Sequence, residues 1–533
     1  MGLLDHIMLG IQFAFSGPSL FGIPLNIVMV SAGFVFGVLV GATPGLAGPM
    51  AMAIALPILI SLFGYEAAAL LPVMGFLLGV MKGATLGGAV PAILFNTPGT
   101  PDALLTTFDG YPMTVKGEGR EALKTAHFAS VSGDSFSDIV LFVCAPFLAI
   151  YVEAYLDLPE KTALILLSLT FIAAVMGRSV SKSLIAVALG LFVAFIGTGE
   201  GFYPRLSLGI NELNGGFPVA IVVLGVLVIG EVLMTIHKAR EEQHETGQIE
   251  QVILKKSVWL SWAKRQAMMP YIATSAMIGT AIGALPGIGS TMAATLGYTA
   301  GKRRHQARKT PDETAFGQGA PQGVAATEAA NSAVSGANLI PVLSLGIPGN
   351  AAAVFLILAM ESIDGINPGP GVFKVPSEGT NPEMIMVFGL FTLMALANLL
   401  NWVLGIHIMQ AMSNMAKIPK QILMPTVLLV TLTAIYAEHA SMLSLFWLVS
   451  FGVFGFILRL LGFPILPFVI AFILARPLES TARQAFASTG ADPWFLFSSP
   501  VAIMLMAGCF IVISFSAFRR LKHGASKYSV YNS

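Results

Sequence analysis

GATPGLAGPMA, residues 41–51, returns as GALPGIGSTMA at residues 283–293, 242 positions later. Further along, PAILFNTPG at 91–99 returns as PVLSLGIPG at 341–349, 250 positions later. Paired Pro-Gly motifs in the same order at near-constant spacing mark an internal repeat. The eight extra residues fall in or near the basic loop around 301–321, where insertions are tolerated.

The chain around these motifs is apolar. Of 533 residues, 55% are hydrophobic and 11% charged, and the mean hydropathy is +0.80. A soluble domain carries about 25% charge, so this inventory cannot furnish an aqueous surface of normal extent. Apolar stretches near the length of a membrane helix recur from end to end. A net charge of +1 argues against a nucleic-acid partner. Cys144 and Cys509 sit inside apolar runs and read as buried, inert thiols. The start, MGLLDHIMLG, lacks the basic region of a secretory signal, so insertion is expected through the helices themselves.

Apolar spans are readable near 133–154, 160–177, 183–199, 216–237, 384–409, 422–437, 441–458, 464–478 and 495–518. Alternating sides from a cytoplasmic C-terminus places 23 of the 29 Lys and Arg residues inside and five outside, with Lys82 within an apolar segment. That asymmetry is the charge rule for membrane topology. It predicts a first transmembrane repeat at 1–237, a cytoplasmic linker at 238–266, a second repeat at 267–520 and a cytoplasmic tail at 521–533. The loop after the first unit (114–124) is basic and inside, whereas the loop after the second (364–383) is acidic and outside. The two units are therefore expected to be inverted. The fold class is an all-α polytopic membrane protein of two inverted-topology repeats, with re-entrant hairpins and Pro-Gly broken helices.

Inverted repeats interrupted by Gly and Pro at matching positions point to the binding site of a secondary transporter. Unpaired peptide groups in hydrocarbon cost several kcal/mol each, so such breaks must line a cavity or lie buried in protein. Carbonyls freed near Gly45 and Gly287 suit transient Na⁺, and the helix N-termini beyond them suit a carboxylate. Segment 270–300 is too long for one simple span and is flanked by Lys264, Arg265, Lys302, Arg303 and Arg304. It is expected to be a hairpin from the cytoplasmic face, and 20–63 its inverted counterpart.

The candidate residues are Pro44, Gly45, Pro286, Gly287, Ser290 and Thr291 at the first pair of breaks. At the second pair they are Asn96, Thr97, Pro98, Gly99, Thr100, Pro348, Gly349 and Asn350. Between them, in GVAATEAANSAVSGAN (323–338), Glu328, Asn331 and Ser335 lie at i, i+3 and i+7 on one helical face, with Ser332 beside them. A carboxylate in such a run is a functional candidate; the alternative is a Glu near the headgroups. Asn96, Thr97 and Thr100 suit either ligand binding or helix capping. Lys82 either snorkels or balances an anion, and Asp134, Asp138 and Glu231 are expected near span ends, facing headgroups. No paired-ligand histidine spacing, Walker A sequence or catalytic constellation is present, so neither an enzyme nor a direct ATPase is expected.

Taken together, GATPGLAGPMA, FNTPGTPDA with the following DGYPM, ALPGIGSTMA, GVAATEAANSA, LIPVLSLGIPGN and NPGPGVF resemble the large membrane subunit of tripartite tricarboxylate transporters, the TctA family. The resemblance runs over about residues 15 to 520. It implies a permease in a bacterial inner membrane, coupled to Na⁺ or H⁺ and carrying citrate or other small organic carboxylates. It further implies a periplasmic solute-binding protein and a small subunit of four membrane helices as partners. It carries Pro44, Gly45, Asn96, Pro98, Gly99, Pro286, Gly287, Glu328, Asn331, Pro348 and Gly349 onto the family pattern. The sequence departs from that pattern in having Ser332 where a second Asn is usual and Asn350 where Ser is common. A stand-alone carboxylate symporter would use the same repeat physics; a channel and an intramembrane enzyme are more distant rivals.

Overall fold

A computed structural model of the chain describes residues 2–43, 47–176, 179–197, 205–207, 209–241, 260–308, 314–363, 365–376, 378–412, 425, 428–429, 431–433, 435–436 and 440–529. Pro44 and Gly45, most of the 238–266 linker and half of the 422–437 span lie outside the described residues.

The described chain is helical apart from one two-residue hairpin, Ser19–Leu20 paired with Ile23–Pro24. Helices α1 (Leu3–Ala14), α2 (Leu25–Gly41), α3 (Gly48–Phe63) and α4 (Ala67–Phe95) precede a 3₁₀ helix at Pro101–Thr106, α5 (Thr107–Val115) and α6 (Gly119–Tyr155). Helices α7 (Leu158–Met176) and α8 (Val180–Phe195) come next. Then α9 (Val219–Leu224) passes through a π-helical turn, Gly225–Ile229, into α10 (Gly230–Glu241). After the linker come α11 (Trp262–Gly283), α12 (Ser290–Arg308), α13 (Pro321–Ala337), α14 (Leu339–Leu345) and α15 (Ala351–Ser362). Helix α16 (Pro382–Leu400) runs through a second π turn, Asn401–Gly405, into α17 (Ile406–Met412). The chain closes with α18 (Met442–Leu460), α19 (Ile465–Ser488) and α20 (Pro500–Ser529). Among the described residues seven helical stretches are long and apolar enough to cross a membrane, including α4, α6 and Pro382–Met412.

Two compact units form, one from Met1–Ile150 with Ala239–Ala440, the other from Tyr151–Lys238 with Ser441–Ser533. Each therefore draws on both sequence halves.

In the first unit α2 lies along α4 on a seam of glycine. A Cβ on Gly33, Gly37 or Gly41 would stand 2.1–2.5 Å from the carbonyl oxygen of Phe76, Val80 or Ala84. From the other side, a Cβ on Gly79, Gly83 or Gly87 would stand 2.2–2.3 Å from that of Val30, Phe34 or Val38. Small residues every fourth position let helices in lipid approach to backbone contact. Gly37→Ala or Gly83→Ala is expected to cost about 1–3 kcal/mol by overpacking, read as a lower unfolding temperature of the purified protein. An unchanged midpoint would mean that the seam is not close-packed.

The α11–α13 pair repeats the device: a Cβ on Gly279 would meet the Ala330 carbonyl oxygen at 2.3 Å. Gly297 of α12 faces the Ala326 carbonyl in the same way, at 2.9 Å.

Helix α6 has 37 residues, so Asp134 and Asp138 fall well inside it rather than at a span end. Both are buried, which corrects the expectation that they face headgroups; the apolar run starting near 133 is only part of a longer helix. Cys144 is exposed rather than buried, whereas Cys509 is buried. Ile139, Val143 and Phe147 are also exposed on α6. In a membrane protein an apolar run covers lipid-facing and core positions alike, so hydropathy does not separate them.

In the second unit Arg459 reaches carbonyls of the π turn after α9. Its guanidinium donates to the Val226 carbonyl at 2.7 Å, to the Leu227 carbonyl at 3.2 Å and to Glu231 at 2.9 Å. Glu231 is thus an ion-pair partner as well as a partly exposed side chain.

Candidate functional site

The Pro-Gly breaks end helices where the sequence places them. Helix α11 stops at Gly283 and α12 starts at Ser290 around Pro286-Gly287; α4 stops at Phe95, and α14 and α15 flank Pro348-Gly349. The second pair of breaks shares one backbone geometry. Asn96 (φ 52°) and Gly346 (φ 69°) are left-handed caps of α4 and α14. The next amides, Thr97 and Ile347, each donate to the carbonyl of a proline six residues back, Pro91 and Pro341, both at 3.2 Å. The paired positions differ by 250 in every case, the spacing of the sequence motifs.

Beyond each cap a glycine packs on the end of an earlier helix. A Cβ on Gly99 would stand 2.2 Å from the Gly41 carbonyl oxygen, and one on Gly349 3.9 Å from that of Gly283 and 3.7 Å from Pro286 Cα. The Gly287 amide donates to the Gly349 carbonyl at 3.0 Å, so the two breaks of the second sequence half meet. Side-chain bonds join elements of the two halves, among them Thr291, in the first turn of α12, which donates to Asp102 at 2.6 Å, and Thr106, which donates to Glu328.

Helix α13, bearing Glu328 and Asn331, is buried over all but its first two residues. Glu328, Asn331, Ser335 and Asn338 follow one face at i, i+3, i+7 and i+10. Glu328 Oε1 accepts from Thr106, but Oε2, both amide atoms of Asn331 and Asn338 Nδ2 are buried with no hydrogen-bond partner among the described residues. Thr100 Oγ1, beyond the first-half break, is in the same condition. Buried polar groups are nearly always paired, and each left alone costs about 1–3 kcal/mol. Several such atoms along one helix face form a surface that a polar ligand or ion would complete. An amide supplies both donor and acceptor, and Asn331 can therefore address either oxygen of a carboxylate or a cation.

Other candidates have local work. Asn350 Oδ1 caps α15 by accepting from the Ala353 amide at 2.9 Å, and the Thr97 hydroxyl donates to the Phe95 carbonyl at 3.1 Å. Asn96 and Thr97 are exposed and do not join the buried row. Ser332 bonds Ser130 on α6. Ser290 opens α12, half-buried, one residue before Thr291.

Next to the row lies a charged network. Lys82 Nζ donates to Asp134 Oδ1 and Asp138 Oδ2, each at 2.8 Å, and to Asn398 Oδ1 at 3.3 Å. Asn398 Nδ2 donates to Asp138 Oδ2 at 2.8 Å, and Ser335 of α13 donates to Asp134. The Lys82 side chain is 0% exposed, so it does not snorkel. Its counter-charges are protein carboxylates.

Asp109 on α5 occupies the N-terminus of α13. Its Oδ1 accepts from the amides of Gly317, Gly319 and Ala320 at 2.8–3.0 Å, and its Oδ2 from the Tyr298 hydroxyl at 3.0 Å. The partial positive charge of that helix end is thus already answered. A substrate carboxylate has to be held elsewhere. Asp109→Ala would orphan three amides and is expected to lower stability by about 3 kcal/mol, visible as faster proteolysis near residues 314–320. Asp109→Asn, which keeps an acceptor, should lose less, and equal losses would contradict this account. Sequence reasoning missed Thr106, Asp109, Ser130 and Asn398; only Asp109 and Asn398 carried a signal, as polar residues in DGYPM and in an apolar run.

Comparison with known proteins gives a consistent result. A family model described as "Tripartite tricarboxylate transporter TctA family" matches residues 27–470. An "Uncharacterized 52.8 kDa protein in TAR-I ttuC' 3'region" of Agrobacterium vitis is 29% identical over 511 residues, covering 95% of each chain. An "Uncharacterized protein in TAR-II ttuC' 3'region" of the same organism is 28% identical over 228 residues, 43% of this chain and 89% of its own length. No solved structure matches the chain.

Proposed function

The chain belongs to the tripartite tricarboxylate transporter TctA family, a family of multi-pass membrane transport proteins and not of enzymes, and from that premise we propose that it is the large permease subunit of a binding-protein-dependent, ion-coupled carboxylate transporter. The observation that carries the reading is the row of buried, unpartnered polar atoms on α13. In this reading the Asn331 amide donates to a substrate carboxylate, with Thr100 and Asn338 as further polar partners. The substrate is a tricarboxylate or a related small organic carboxylate. A periplasmic solute-binding protein delivers it, a small four-helix subunit accompanies the permease, and the C-terminus is cytoplasmic.

The matched caps at Asn96 and Gly346 support two related units, read here as inverted repeats whose hairpins are α2–α3 and α11–α12. Alternating access would then move one group of helices against the other around a fixed midplane site. Electrostatics supports ion coupling. An anion entering the row would be repelled by Glu328 in its ionised form, so its binding improves when Na⁺ or H⁺ enters with it.

The test is reconstitution of the permease with its small subunit and binding protein in liposomes. Labelled di- and tricarboxylates are supplied with an inward Na⁺ gradient, an inward H⁺ gradient or neither. Gradient-dependent uptake that requires the binding protein is expected. Uptake by the permease alone would support a self-sufficient symporter instead, and uptake indifferent to both gradients would reject coupling.

A further inference from the structure

We propose that the Lys82–Asp134–Asp138–Asn398 network is the proton-binding site of this transporter, so that one proton held there is the coupling ion; the inference rests on the α13 substrate reading.

Counting charges leads to it. With both carboxylates ionised, one ammonium faces two of them at 2.8 Å, leaving a net negative charge in the protein interior. An uncompensated buried charge is strongly disfavoured. Among the described residues, few other charges stand on the surrounding helices. Helix α2 has no titratable residue, and α4 has Lys82 alone. Helix α13 contributes Glu328, bonded to Thr106, and α16 contributes Glu383 in its first turn. On α6, His127 lies nearly two turns before Asp134 and bonds the Asn401 carbonyl; Arg120, Glu121 and Lys124 lie farther toward its start, Glu153 toward its end. None is bonded to the network to cancel its excess charge.

The balancing species is a proton rather than a metal cation. Lys82 already stands between the carboxylates. Asp138 Oδ1 has no partner among the described residues, and it faces α13 so closely that a Cβ on Gly336 would be 2.2 Å away. A hydrogen fits against that oxygen; a metal ion with its shell of oxygens does not. Protonation at Asp138 leaves Lys82 and Asp134 as a balanced pair.

The link to substrate runs along α13. Ser335, which donates to Asp134, lies one turn from Asn331, about 6 Å along the helix axis. In an interior of low dielectric, charges at such separations interact strongly. An anion bound at Asn331 therefore raises the proton affinity of the network, and a proton on the network raises affinity for the anion. The two couplings are equal by reciprocity.

The test uses the reconstituted complex and a mixture of radiolabelled citrate, malate and succinate, supplied with no gradient, an acid exterior or an inward Na⁺ gradient. Two quantities are read: accumulation driven by an acid exterior, and exchange of internal for external label, which needs no net proton movement. Asp138→Asn keeps the side-chain shape and fixes the network in the charge state of its protonated form. It is expected to lower accumulation at least about tenfold while exchange stays within about twofold. In the unmodified complex an acid exterior should drive accumulation. Accumulation that follows Na⁺ and ignores the proton gradient would overturn the proposal, as would normal accumulation by Asp138→Asn. Loss of exchange along with accumulation would make Asp138 structural and overturn it too. Absence of both activities in the unmodified complex would instead reject the substrate reading beneath it, and the inference with it.

Discussion

Asn331→Ala is expected to cut carboxylate uptake by about ten- to 150-fold, which is the effect of one hydrogen bond to a charged ligand at about 1.5–3 kcal/mol. The same substitution should leave the amount of folded protein in the membrane unchanged or slightly raised. Both amide atoms of Asn331 are buried without partners, so in the ligand-free protein the side chain is a burden, and Ala removes two desolvated polar atoms at the expense of a small cavity. Stability held while function falls is the signature of a residue kept for its ligand. Glu328→Ala should share the loss of uptake but not the gain in stability, because it leaves the Thr106 hydroxyl without its acceptor. Uptake and thermal midpoint measured on the same preparations decide the matter. Unchanged uptake by both variants would reject the role of the α13 row.

Lys82→Met is expected to be the most damaging single change to the fold. Removing the ammonium leaves Asp134 and Asp138 facing each other in the interior, and breaking a buried ion pair from one side costs about 3–5 kcal/mol, a large share of the stability of most domains. Little assembled protein should be recovered from the membrane. Adding Asp134→Asn and Asp138→Asn to Lys82→Met removes the stranded charges and should restore much of the yield. A single Lys82→Met variant that accumulates and unfolds like the parent would show that the network is not a closed electrostatic unit.

The helical class, the Pro-Gly breaks and the polar face of α13 were legible because each is written in the sequence pattern: i, i+3 and i+7 for Glu328, Asn331 and Ser335, and Pro98-Gly99 returning as Pro348-Gly349. What was not legible depends on partners far away in the chain. Thr106 meets Glu328 across 222 positions, and Lys82 meets Asn398 across 316; no periodicity encodes such pairings. Asp134 and Asp138 were misplaced for a related reason. Their helix begins at Gly119, in a polar stretch that hydropathy assigns to a loop. Asn350 shows the converse: a polar residue beside a break, read as a ligand contact, caps its own helix.

The glycine seam between α2 and α4 also limits how the molecule can work. Six backbone-to-backbone approaches lie along it without an intervening side chain, and translating one helix past the other would drive Cα hydrogens into carbonyl oxygens at each. Such a pair has no lubricating layer. It travels as a single spar, and any rearrangement of the surrounding helices has to carry α2 and α4 together.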